Sequence, residues 1–271
     1  TFNHGYQNPE EEAAFLVLRT LRIPLEYEDK FLDAALTNNE RETVSNNISR
    51  RCDDLEPTAY ITKEWWLTGF PFYVDERVLI PRSYIAELIE KNFDGLLPDP
   101  AHIRSILDMC TGSGCILLSL LHELKPRTVT GVGVDLSKEA LCVAEKNAEK
   151  LKIDAEFLES DLFENVKGTY DVVVSNPPYI RTSVIETLQE EVKDHDPYLA
   201  LDGKEDGLYF YRRIIEQAPA YLKKKGWLLF EIGSDQGEDV KNLMEQAGYT
   251  GVSVKKDLAG LDRVVFGVYD R

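Results

Sequence analysis

From Ser105 to Val268, short apolar runs that fit strands alternate with longer amphipathic runs that fit helices. This alternation constrains the fold more than any other feature of the chain. Strand-like runs fall at 105–109, 128–134, 155–158, 171–175 and 226–232, and helical patterns at 115–124, 137–151, 208–222 and 235–247. Repeated strand–helix units predict an α/β fold, a parallel sheet with helices on both faces. Two further runs, 252–256 and 263–268, are joined by the short "DLAGLD" turn. They are expected to form a hairpin, with one antiparallel strand at the sheet edge.

The front of the chain has a different period. Ala14, Leu18 and Leu21, then Phe31, Ala35 and Leu36, then Val44, Ile48 and Arg51 recur at helical spacing, with Pro24 and Pro57 as breakers. Residues 1–63 therefore read as a small helical domain. The stretch "EWWLTGFPFYVDERVLIPR" (64–82) has aromatic and β-branched residues around Thr68–Gly69, as a β-hairpin linker requires. Its aromatics, Trp65, Trp66, Phe70, Phe72 and Tyr73, fit an interdomain core better than a peptide-docking surface. Ser83 to Phe93 reads as an amphipathic helix and Leu96 to Pro100 as a loop, opening an α/β domain over 83–271. Lys223 to Lys225 read as the solvated end of a helix.

Composition narrows the function. The chain has 271 residues with a formal net charge of −17, and both halves are acidic. Such a field repels phosphate backbones and attracts basic proteins, so no direct nucleic-acid substrate is expected. The four cysteines show no C-x-x-C spacing and the four histidines are scattered, so neither a zinc site nor a disulfide framework is indicated. There is no stretch of eighteen or more apolar residues and no secretion-signal pattern, which predicts no membrane contact and a cytoplasmic location.

The chemistry is expected at the strand ends, where open α/β sheets bind ligands. "LDMCTGSGC" (107–115) follows the first strand of the sheet, and its glycines permit close backbone approach to a ligand at a helix N-terminus. Asp135 closes the next strand, placed to accept hydrogen bonds from ribose hydroxyls. Asp161 in "SDLF" follows the third and can accept from an adenine amino group. Each alone is also a common turn or cap residue; together they indicate a nucleoside. NAD is disfavoured because Leu117 stands where the third glycine of its fingerprint belongs.

"SNPPYI" (175–180) ends the fourth strand in a rigid corner, since two consecutive prolines supply no N–H and fix φ. A methyl transfer to a planar NH₂ group needs acceptors for both hydrogens. The Asn176 side-chain oxygen and the Pro177 carbonyl can supply them, while Tyr179 packs on the flat face. The same logic serves a glutamine amide or the exocyclic amine of a base. A nucleic-acid N-methyltransferase is therefore the alternative, opposed by the acidic charge of the front domain.

"DMCTGSGC", Asp135, "SDLF" and "SNPPYI", in this order and spacing, resemble the protein-(glutamine-N5) methyltransferases that use S-adenosyl-L-methionine to modify translation proteins. The resemblance extends over nearly the whole chain, including "VLIPRS" and "DLAGLDRVVFG". It implies a Rossmann-like, seven-stranded methyltransferase domain behind a helical substrate-recognition domain, acting on a glutamine of ribosomal protein L three or of a peptide chain release factor. It also implies a cofactor site at Thr111, Gly112, Ser113, Gly114, Asp135, Asp161, Leu162 and Asn176, and an acceptor-amide site at Asn176, Pro177, Pro178 and Tyr179. Cys110 and Ser83 resemble the ribosomal-protein branch; "HDPYLALDGKEDGLYFYRRI" resembles the release-factor branch.

Overall fold

Asn8 and Thr37 start two of the front helices in the computed structural model, which describes residues 8–24, 30, 33–85, 88, 102–125, 128–257 and 259–270. The Asn8 side chain accepts the Glu11 N–H at 2.8 Å and Pro9 occupies the first turn, starting α1 (Pro9–Thr20). Thr37 and Glu40 form a reciprocal capping box that starts α2 (Asn38–Cys52). Ala35 and Leu36, expected in a helix, instead form the non-helical lead into this cap, because the cap requires Thr37 to be extended. Phe31 lies outside the described residues. A short α3 (Thr58–Thr62) follows Pro57.

The expected hairpin is present as β1 (Trp65–Leu67) and β2 (Phe70–Phe72), paired antiparallel across Thr68–Gly69. Its aromatics divide. Phe72 is fully buried in the core under the main sheet, with Phe70 packed beside it, whereas Trp66 is 43% exposed. Of the helix expected over 83–93, Tyr84, Ile85 and Leu88 are helical and the remainder, with the loop at 96–100, lies outside the described residues.

The main sheet comprises β3 (Ser105–Met109), β4 (Thr130–Asp135), β5 (Glu156–Glu159), β6 (Tyr170–Ser175), β7 (Leu222–Glu231), β8 (Thr250–Lys256) and β9 (Asp262–Tyr269), in the order β5-β4-β3-β6-β7-β9-β8. Strands β3 to β7 pair in parallel, and β9 runs antiparallel to both neighbours. The reversed strand is thus one position in from the edge and not at it. A hairpin dictates that β8 and β9 oppose each other, but β9, not β8, inserts against β7.

Period-two alternation sorts the core between the two faces. Ile106, Val172, Val174, Leu229 and Phe266 pack on one face with Ile116, Leu117 and Leu120 of α4 (Cys115–Glu123) and Ala148 of α5 (Lys138–Leu151). Leu107, Val173, Leu228, Phe230 and Val265 pack on the other with Ile214 and Ile215 of α9 (Tyr209–Gln217) and Val240 and Met244 of α10 (Gly237–Gln246). Between β6 and α9 the chain inserts three short helices, α6 (Thr182–Ile185), α7 (Glu190–Lys193) and α8 (Tyr198–Leu201).

The lysine run is a correction. Lys223 to Lys225 belong to β7, because α9 stops at Gln217 and Pro219 sits in a single 3₁₀ turn. The Lys223 ammonium pairs with Asp171 at 2.8 Å, at the opening of β6. Among the described residues no helix is long and apolar enough to cross a membrane.

Candidate active site

The chain turns from β3 towards β4 and β5 on one side and crosses back to β6 on the other, so the ends of β3, β4 and β6 flank a crevice. After Met109 the backbone reverses through Cys110 (φ +58°), Gly112 (φ +54°) and Gly114 (φ +76°) before α4 begins. At Gly112 an added Cβ would meet nothing within 4 Å, so space exists for a ligand against the backbone. At Gly114 it would lie 3.1 Å from the Ala144 Cβ, so this glycine permits close helix packing instead. Asn147 of α5, fully buried, donates to the Ser113 carbonyl at 2.9 Å and to the Tyr73 carbonyl at 3.0 Å, locking the turn to the hairpin exit.

Asp135 holds the turn from the β4 side. Its Oδ2 accepts the Gly112 N–H at 2.9 Å and its Oδ1 the Ser137 N–H at 2.9 Å. Burial raises its pKa above the ordinary carboxylate value against those hydrogen bonds. Behind it, Asp108 is fully buried with Oδ2 accepting from the Thr111 hydroxyl at 2.6 Å and Oδ1 without a hydrogen-bond partner. Burial pushes Asp108 up to about 7. Asp161 lies beyond β5 with Oδ1 paired to Arg213 at 2.9 Å, and Leu162, at φ +50°, is buried beside it.

These residues open onto a cleft of about 1060 Å³. Thr111, Gly112, Ser113, Asp135, Asp161, Leu162, Asn176 and Pro178 all line it; Gly114 does not. A second cleft, of about 570 Å³, is lined by Asn176, Pro177, Tyr179, Ile180 and Asp196. Asn176, Arg82, Leu79 and Ala200 line both, so the Asn-Pro-Pro-Tyr corner stands where the two cavities meet.

The corner is braced from behind. Gln236, buried, donates to the Tyr179 carbonyl at 3.1 Å and the Gly207 carbonyl at 3.2 Å, while its Oε1 accepts the Gly233 N–H at 2.9 Å. Gly203 approaches so closely that an added Cβ would lie 2.7 Å from the Tyr179 Cα. Burial pushes the Tyr179 phenol up to about 12, keeping it neutral.

Residues that sequence reasoning passed over complete the walls: Arg82 from the segment after the hairpin, and Pro197, Leu199 and Ala200 from the insertion. A different signal existed for the buried acids. Asp108 in "SILDM" and Glu231 in "WLLFEI" are single charges inside apolar strands. Glu231 accepts from the Ser83 hydroxyl at 2.7 Å and the Tyr84 N–H at 3.0 Å, and burial raises it to about 7.

Residues 93–256 match the family model described as the methyltransferase small domain. A ribosomal protein uL3 glutamine methyltransferase of Neisseria meningitidis serogroup A is 42% identical over 240 residues, covering 87% of this chain and 77% of that protein. Among solved structures, a methyltransferase from Pyrococcus furiosus superposes with a TM-score of 0.54 at 14% identity, over 87% of this chain and 100% of that one. A T. thermophilus 16S rRNA methyltransferase, in complex with AdoMet and guanosine, gives 0.52 at 17% identity, over 77% and 50%. At such identities the two structures establish a shared Rossmann-like fold.

Proposed function

We propose, from the premise that this chain belongs to the methyltransferase small domain family and to its ribosomal protein uL3 glutamine methyltransferases, that it methylates the side-chain amide nitrogen of a glutamine in uL3. The observation that carries this reading is the placement of Asn176 between two adjoining cavities, one lined by the nucleoside-type strand ends and the other by Pro177 and Tyr179. A group-transfer enzyme needs that arrangement: donor and acceptor enter separately and meet at one residue.

The residues present fit S-adenosyl-L-methionine. Asp135 and Asp161 offer carboxylates at consecutive strand ends, and Gly112 leaves backbone space beside them. When bound, the cofactor supplies an electrophilic methyl group. Asn176 Oδ1 and the Pro177 carbonyl accept the two amide hydrogens and aim the nitrogen lone pair at the first cavity. Holding both hydrogens works against amide resonance and raises electron density on nitrogen. Neutral Tyr179 covers the flat face and excludes water. The cationic nitrogen, strongly acidic once methylated, gives its proton to bulk water as the product leaves, so no strong base is required beforehand. Orientation and fixed dipoles supply most of the effect. Residues 1–63 would help to seat the acceptor, and a ribosomal-protein acceptor would place the reaction in the cytoplasm.

The test offers purified uL3, release factor and ribosomal RNA to the enzyme with methyl-labelled cofactor and maps the label. Labelled glutamine in uL3 is expected, and Asn176→Ala should lower turnover at least ~100-fold while cofactor still binds. Label on RNA alone, or on release factor in preference to uL3, would overturn the acceptor assignment.

A further inference from the structure

We propose that the insertion between β6 and α9 is the docking surface for the stretch of acceptor chain on either side of the target glutamine, with Tyr198 and Leu199 as its apolar centre. The proposal rests on the uL3 reading above and gives that reading a recognition surface. The four-residue helix α8 buries Leu201 but leaves Tyr198 54% and Leu199 46% exposed. Tyr209, at the start of α9, is 39% exposed, and the Lys204 ammonium lies within electrostatic reach of both tyrosines, so the two rings border one patch. Single exposed apolar side chains are ordinary. Adjacent large ones beside a cavity are not, and tyrosine suits an interface because its ring is apolar and its hydroxyl tolerates water.

The patch stands where an acceptor must pass. Ala200 lines both cavities and Leu199 lines the first. Successive Cα atoms are about 3.8 Å apart, so the Tyr198 backbone is within about 8 Å of the wall where donor and acceptor meet. A glutamine that reaches Asn176 brings its own backbone to the rim of the second cavity and lays its neighbours on the surface beyond. On this side that surface is α8. The insertion is also held in place beforehand: Arg51 pairs with Glu191 at 3.0 Å, Tyr60 donates to Asp196 at 2.6 Å, and the Thr182 hydroxyl donates to Asp202 at 2.6 Å, tying α6 to the end of α8. A surface fixed in advance loses little entropy when it binds.

Charge selects the occupant. Residues 181–206 hold eight acidic and three basic side chains. Glu191, Asp196, Asp202 and Asp206 are engaged with Arg51, Tyr60, Lys204 and Arg212, whereas Glu186, Glu190 and Glu205 face solvent. Such a surface repels both a nucleic acid and a second copy of this chain, whose net charge is −17. It fits a basic protein segment with an apolar side chain beside the glutamine, to cover Tyr198 and Leu199, and lysines or arginines further along, to meet the carboxylates.

Steady-state kinetics of the full-length enzyme on intact uL3 tests the surface. Tyr198→Ser should raise KM about 5- to 30-fold with kcat kept, the scale for truncating an interface aromatic, while Tyr198→Phe should stay within about twofold of wild type. A triple variant, Glu186→Lys with Glu190→Lys and Glu205→Lys, is compared with Glu123→Lys, Asp154→Lys and Glu156→Lys. The second set makes the same change in net charge at the opposite end of the sheet, where α4 ends and β5 begins. The first set should raise KM at least about threefold more than the second, because charges at the contact act beyond the shared long-range field. Affinity for S-adenosylhomocysteine, measured by calorimetry, should be unchanged throughout. Should Tyr198→Ser fail to fold, the two charge-reversal sets carry the comparison. An unchanged KM for folded Tyr198→Ser, or equal effects from the two sets, overturns the docking surface. A wild-type dimer that Tyr198→Ser disperses would give the patch to a second copy and overturn it as well. Wild-type enzyme that leaves uL3 unmethylated removes the acceptor assignment together with this surface, an outcome distinct from the others.

Discussion

Glu231 is a carboxyl group sealed inside a seven-stranded sheet, and its surroundings make its protonation state a stability variable. Its folded pKa of about 7 lies above the ordinary glutamate value of 4.5, chiefly through burial. The folded state then holds the proton more tightly than the unfolded chain, so the contribution is full below about 4.5 and is lost as pH rises towards 7. That shift corresponds to roughly 3 kcal/mol. Urea unfolding of wild type and Glu231→Gln at pH 5 and pH 8 should show the wild-type advantage shrinking at the higher pH; a constant difference would remove the ionisation argument. Gly207 is the second residue-scale case. It has φ +76° and packs on the Tyr179 carbonyl, so Gly207→Ala should lower stability by about 1–3 kcal/mol and reduce methyl transfer more than nucleoside binding. Equal loss of both would mean that it supports the whole sheet and not the corner. The candidate site was legible in the sequence where a residue ends its own strand or directly follows it, as Asp135 and Asn176 do. Arg82, Asp196 and Gly207 were not, because tertiary packing brings them in from segments whose local pattern is unremarkable.

At the scale of elements, the strands were readable because each buried run keeps period two over a core that covers both faces. What failed was partner choice. Nothing in "DLAGLD" states which arm of the hairpin docks on β7, and the lysines looked helical because Pro219, the actual stop, sits only four residues ahead of them. The insertion holding α6 to α8 is tied at one end to the corner, through Gly203 and the Ile180–Asp202 bridge. Its other face is tied to the front helices. Arg51 of α2 pairs with Glu12 at 2.6 Å and Glu191 at 3.0 Å, the Tyr60 hydroxyl donates to Asp196 at 2.6 Å, and His195 Nε2 lies 2.9 Å from the Asp54 carbonyl. The front helices thus brace an insertion that walls both cavities. Arg51→Ala would strand two nearly buried carboxylates and should cost about 3–5 kcal/mol. Hydrogen exchange should then rise first across residues 190–196. Exchange that rises uniformly, or only within α1 and α2, would show that the insertion does not depend on this brace.

For the whole molecule, the governing quantity is the net charge of −17, spread over both halves of the chain. A ribosomal protein that neutralises RNA phosphates must carry a basic surface, so the proposed acceptor and this enzyme approach each other along an attractive field. The front helices share a core with the α/β body: Ala59 and Tyr60 of α3 pack with Val74, Val78 and Ile80 and with Ala140 and Val143 of α5. Enzyme and field therefore move as one body, and capture of a whole protein should depend on salt differently from the chemistry. Between 50 mM and 500 mM salt the Debye length falls from about 14 Å to about 4 Å, which removes long-range steering while leaving the cavities unchanged. The kcat/KM for intact uL3 should drop about tenfold over that range, with kcat nearly constant. A short uncharged peptide containing the same glutamine should show almost no change, because it enters the second cavity without being steered. Parallel salt titrations of the two acceptors decide the matter. If protein and peptide respond alike, or if kcat and not KM carries the effect, recognition of uL3 rests on contacts at the cavity and the acidic surface has no part in it.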